Sequence, residues 1–112
     1  MGALRTIRVD WETGSVKNGT SNLRQFDHQS VVVVLDDYPK LDSYWLITKE
    51  HGEVELDGPS WLITNEYTQE AQTLVFQFCA KSNSRDMEIH SGICKIQILP
   101  SLEHTTEEVT NG

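Results

Sequence analysis

At 112 residues the chain has the length of one folded domain, with little left for a second. Nine basic side chains against 17 acidic ones leave a net charge of −8. That balance repels phosphate backbones, so no nucleic acid partner is expected. No run approaches the roughly 18 apolar residues of a membrane-crossing helix, and residues 1–9 lack the apolar stretch of a secretory signal. The expectation is therefore synthesis in the cytoplasm and no membrane partner.

In chain order, residues 4–11 alternate. Ile7, Val9 and Trp11 fall on one face and Thr6, Arg8 and Asp10 on the other, the period of a half-buried strand. Residues 14–22 carry Gly, Ser, Thr and Asn, a loop composition; the Asn18-Gly19-Thr20 sequon within them reads as a turn. Residues 31–35 are a continuous Val/Leu run, too short for a helix and suited to a strand buried on both faces. Phe26 begins or flanks it, and Pro39 ends it because it restricts the residue before it and lacks an N–H. Residues 44–48 and 54–56 follow as strands around a turn at residues 50–53, and Asp57-Gly58-Pro59 is the strongest turn signal in the chain. Residues 61–63 read as a strand, and residues 65–72 hold the one plausible helical turn. Residues 73–81 alternate again, with Leu74, Phe76, Phe78 and Ala80 inward and Val75, Gln77 and Cys79 on the opposite side. After a polar turn, residues 87–99 form a last long strand region with Cys94, Ile96 and Ile98 on one face.

Two of these stretches nearly copy each other: Trp45-Leu46-Ile47-Thr48-Lys49-Glu50 and Trp61-Leu62-Ile63-Thr64-Asn65-Glu66. Both tryptophans precede apolar strand residues and are expected in the core. Many short strands divided by turn signals give the fold class as all-β: an antiparallel β-sandwich, Ig-like or jelly-roll-like, with little or no helix. A barrel is the alternative. One domain over residues 1–102 is expected, with residues 103–112 a flexible acidic tail or the start of a linker. If Phe76 and Phe78 share a core with Ile96 and Ile98, Cys94 lies on the core face and Cys79 on the other. The two cysteines are then free thiols.

Signals for chemistry are sparse. His28, His51, His90 and His104 are not at helical ligand spacing, and none stands beside a thiol or carboxylate cluster. Only a metal site assembled in space by the fold would escape this reading. No EF-hand spacing is present. Ser30 and Ser91 lack a nucleophile elbow. The pairs Asp36-Asp37 and Glu107-Glu108 point to opposite faces if extended, which does not suit glycoside chemistry. No catalytic, cofactor-binding or metal residues are expected, and no cofactor. The aromatic residues remain: Tyr38, Tyr44, Tyr67 and Trp11 are the candidate interaction surface, for a protein partner or for stacking against a glycan.

The order of segments resembles the N-terminal domain of phage baseplate upper proteins and related tail-fibre attachment domains. The matching residues are Trp61-Leu62-Ile63-Thr64-Asn65-Glu66-Tyr67-Thr68, then Thr73-Leu74-Val75-Phe76-Gln77-Phe78, then Ile89-His90-Ser91-Gly92, and last Lys95-Ile96-Gln97-Ile98-Leu99-Pro100-Ser101-Leu102. The resemblance covers most of residues 31–102. It departs at Gln72, where such domains often carry Gly, and in length, since baseplate upper proteins usually continue into a linker and a distal module. It implies a virion structural role in the tail, with other tail or baseplate proteins as partners and a homo-oligomer by analogy. It transfers no catalytic residue. A carbohydrate-binding module using exposed aromatics is the alternative.

Overall fold

The computed structural model describes residues 5–17, 22–84 and 86–101. The expected tail, with His104, Glu107 and Glu108, and the Asn18 sequon lie outside the described residues. In chain order the elements are β1 (Arg5–Asp10), β2 (Leu23–Arg24), β3 (Val31–Asp36), β4 (Ser43–Thr48), β5 (Gly52–Leu56), β6 (Ser60–Leu62), a 3₁₀ turn (Asn65–Tyr67), β7 (Thr73–Ser82), β8 (Met87–His90) and β9 (Cys94–Leu99). The short turn is the only helical element among the described residues, so the all-β reading holds.

The strands form two sheets. One has the order β1-β3-β6; the other has the order β2-β9-β7-β4-β5, with β8 also paired to β7. Alternation along each strand aims one apolar set inward. From the small sheet come Ile7, Val9, Val31, Val33, Leu35 and Trp61; from the large sheet come Leu46, Leu74, Phe76, Phe78, Ile96 and Ile98. All belong to one buried cluster. The Trp61 ring meets the Phe76 ring edge-on at 5.2 Å, a direct contact between the layers. Each such aliphatic or Phe side chain contributes about 1.5–3 kcal/mol by leaving water.

The pairing is not antiparallel throughout, as the sequence had suggested. β1 runs parallel to β3, from Arg5 opposite Val31 to Asp10 opposite Asp36, and β2 runs parallel to β9. Parallel neighbours need a crossing connection. Among the described residues of this connection, 11–17 and 22–30, there is no helix, and the chain touches the edge of the large sheet at β2 before it returns to β3. The sandwich is therefore built from mixed sheets.

Three further expectations need correction. In β3, Val31, Val33 and Leu35 are buried but Val32 and Val34 are only half-buried, because no third layer covers the outer face of the small sheet among the described residues. Residues 87–99 form two strands rather than one. β8 pairs with residues 79–82 of β7 and β9 with residues 73–76, along the same edge. Between them the Ser91 hydroxyl accepts the Phe78 N–H at 2.9 Å and donates to the Gly92 carbonyl at 2.8 Å, so a buried side chain takes the place of a ladder acceptor. Ser91 thus has a structural task. The break also lets the end of β1 dock: the Gly92 N–H reaches the Trp11 carbonyl at 2.8 Å. A Cβ on Gly92 would fall 2.4 Å from the Thr13 carbonyl carbon, and one on Gly14 (φ +79°) 2.3 Å from the Ile93 oxygen.

The third correction concerns the repeated tetrapeptide. In β6 the Trp61 side chain points inward and Leu62 outward; in β4 Trp45 and Ile47 point outward while Leu46 and Thr48 point inward. Identical local sequence is read in opposite phase, because register with the neighbouring strand decides which face is buried. Leu46 opposes Phe78 on β7, which fixes β4 one residue out of step with β6. Elsewhere the face assignments hold. Phe76 opposes Cys94 and Leu74 opposes Ile96. Cys94 is on the core face and Cys79 on the other, and both thiols are free and buried.

Candidate interaction surface

Of the four aromatic residues put forward from the sequence, the fold leaves one accessible. Trp11, at 5 % exposure, and Tyr44 and Tyr67, at 7 % each, belong to the core. The Tyr44 hydroxyl donates to the Pro39 carbonyl at 2.8 Å and accepts from the Leu41 N–H at 3.2 Å, so the turn after β3 closes over it and its polar end is satisfied. Tyr67 sits in the 3₁₀ turn with its ring 5.0 Å from Trp61 and 4.5 Å from His51. Burial, then the Glu66 carboxylate, raises its phenol above the ordinary range. Tyr38 is half-buried, edge-on to Tyr44 at 5.6 Å. The physical reason is the small size of the domain: with few large residues available, its aromatics fill the core.

Trp45, which the sequence reading places in the core, is instead half-buried on an outward-facing position of β4. It stands on the outer face of the large sheet, in a row that the pairing fixes across four strands: Glu55 on β5, Trp45 on β4, Cys79 on β7 and His90 on β8. Its indole N–H donates to the Ser43 hydroxyl at 3.0 Å. The Lys81 ammonium lies 4.3 Å above its ring and also pairs with the Glu53 carboxylate at 2.8 Å. One face of the ring is thus occupied by a cation.

Beside Trp45 the same face gathers three donors of different type. Glu88 and His90 stand two apart on β8 and so share a side, with the His90 Nε2 3.2 Å from the Glu88 carboxylate. Cys79, directly opposite His90, is buried beneath them. One ligand atom from each of Cys79, Glu88 and His90 lies within 4.8 Å of the other two. Burial, and next the Glu88 carboxylate, push the Cys79 thiol up to about 11. Neither helical ligand spacing nor an adjacent cluster marks this group in the sequence. The Glu-x-His spacing on a strand, opposite an outward-facing Cys, was the signal that could have found it.

A shallow groove of about 560 Å³ opens where the end of β1 meets β8. Asp10, Trp11, Glu12, Asp37, Pro39, Ile89 and His90 line it, and three of the seven are carboxylates. Asp10 accepts the Thr13 N–H and hydroxyl at 3.0 Å each, and these bonds hold its carboxyl below the usual range. Nearby, Arg8 forks onto Asp36, with Nε at 3.1 Å from one oxygen, and Lys17 lies 3.6 Å from the same carboxylate; the Arg8 bonds hold Asp36 low. Among the described residues no helix is long and apolar enough to cross a membrane.

No protein-family profile and no curated protein matches the sequence. Its fold does match solved structures. The N-terminal domain of phage TP901-1 ORF48 aligns over 88% of this chain and 99% of its own, with a TM-score of 0.54 and 12% identical residues. At that identity the likeness is one of fold, and it bears out at that level the resemblance read from the strand motifs. The chain shares its all-β architecture with a phage-encoded N-terminal domain.

Proposed function

We propose that this chain is a non-enzymatic structural module of a phage or prophage tail, an attachment domain that joins other tail proteins at the baseplate or as a tail-fibre adaptor. The observation that carries this reading is the fold likeness to almost the whole of the TP901-1 ORF48 domain. Two surface features suit such a role. The groove rich in carboxylates offers a seat for a cationic segment of a partner. The edge strand β5 is blunted by Glu53 and Glu55, which discourages indiscriminate strand pairing there.

The test is reconstitution. The purified chain is mixed with the products of tail genes encoded beside its own and followed by size exclusion with light scattering. A stoichiometric complex, weakened by salt and by Glu12→Lys/Asp37→Lys, is the expected result. The same run reports whether the chain alone self-associates. A chain that stays separate from every neighbouring tail protein overturns the proposal.

A further inference from the structure

We infer that Cys79, Glu88 and His90 form a binding site for one divalent transition ion of the zinc class, which staples β7 to β8 on the outer face of the large sheet. This inference is independent of the tail role proposed above.

The argument begins with donor chemistry. A thiol sulfur, an imidazole nitrogen and a carboxylate oxygen are the three ligand types zinc takes, and sulfur with nitrogen disfavours calcium or magnesium. The geometry follows. At zinc–ligand distances near 2.0–2.3 Å, tetrahedral ligands stand roughly 3.3–3.8 Å apart. The three ligand atoms already lie within 4.8 Å of one another, so side-chain rotation of about 1 Å closes the set without moving the strands. The backbone is fixed by the ladder, since Cys79 pairs with His90 and Lys81 with Glu88. Three protein donors leave the fourth position to water.

Electrostatics agree. A thiolate and a carboxylate balance the charge of a divalent ion, and His90 is neutral when it ligates. The nearby cation that would oppose binding, Lys81, is held by the Glu53 carboxylate at 2.8 Å and by the Trp45 ring. On binding, the Cys79 S–H bond is exchanged for a sulfur–metal bond and the proton passes to buffer; nothing is oxidised or reduced. Cys94 serves as an internal control, since it is buried on the opposite face against the core and has no such neighbours.

The experiment is a cobalt(II) titration of the reduced, metal-free full chain, read by the thiolate-to-cobalt charge-transfer band and followed by displacement with zinc. A band that saturates at one equivalent and vanishes on adding zinc is expected. It should persist in Cys94→Ser and be lost in Cys79→Ser. Because His90 is exposed, His90→Ala should keep the wild-type circular dichroism spectrum yet lose saturable binding, which separates ligand loss from misfolding. No band in the wild type, or a band that survives His90→Ala or Cys79→Ser, overturns the site.

Discussion

The two Trp-Leu-Ile-Thr segments offer a controlled comparison, because the tryptophan of the same tetrapeptide is buried in the core in β6 and stands on the outer face of its sheet in β4. Trp61→Ala removes a ring that is 5 % exposed and lies 5.0 Å from Tyr67 and 5.2 Å from Phe76. A buried Trp→Ala change costs about 3–5 kcal/mol, transfer and cavity together. Trp45→Ala removes one hydrogen bond to Ser43, worth about 0.5–1.5 kcal/mol, and one cation–π contact with Lys81, worth about 0.5–1 kcal/mol where water still reaches the pair, both seen in the structure at a half-buried ring. The expected losses are thus about 4 kcal/mol for Trp61→Ala and about 1–2.5 kcal/mol for Trp45→Ala. Against a total stability of about 5–15 kcal/mol for a small domain, the first is a large fraction and the second is modest. Urea unfolding monitored by far-ultraviolet circular dichroism measures both, with a common slope required for the comparison. Equal losses, or a larger loss at Trp45, would refute the opposed phases of β4 and β6 and with them the register of the large sheet.

Other outcomes follow from the same reasoning. Phe76→Ala should cost about 3–5 kcal/mol in the same assay, since the ring is 1 % exposed between Trp61 and Phe78; a loss under about 1 kcal/mol contradicts the core assignment. Gln77→Ala, innocuous on the face of the alternation, should cost about 0.5–1.5 kcal/mol, because its amide donates to the Ser91 carbonyl at 2.7 Å and helps hold the break between β8 and β9. Gly92→Ala should cost about 1–3 kcal/mol or more, as the new methyl meets backbone that cannot yield; a wild-type urea midpoint would mean that the two loops do not interlock. Asp10 and Asp36 carry carboxyls lowered in the fold, chiefly by the Thr13 N–H and by the Arg8 guanidinium respectively. Such groups stabilise above their unfolded pKa of about 3.9 and lose that contribution as the pH falls through the folded value. Urea midpoints should therefore drop below about pH 4, and Asp36→Asn should flatten the drop; a pH-independent midpoint would contradict these contacts.

Strand positions and most face assignments were legible because period-two alternation is a local signal. Ile7 and Val9 in β1, and Leu74, Phe76 and Phe78 in β7, announce their sides without reference to the rest of the chain. What was illegible depends on pairing. The phase of Trp45 is set by Leu46 meeting Phe78 across the ladder, and nothing within the tetrapeptide encodes it. The parallel pairing of β1 with β3 rests on a crossover through a two-residue strand, β2, too short for a periodic signal. The break at Ser91 substitutes a side-chain oxygen for a backbone acceptor, which a run of strand-forming residues conceals. The candidate surface suffered most. Aromatic residues near turns read as exposed, yet Tyr44 and Tyr67 are roofed by those turns. Cys79, Glu88 and His90, by contrast, become neighbours only when β8 folds back on β7.

Cross-linking mass spectrometry on density-purified particles from a host carrying this gene tests the tail role most directly. The account predicts the chain among the particle proteins, with its lysines, Lys17 and Lys40 among them, joined to tail components. Particles with intact tails that contain none of this chain would contradict it.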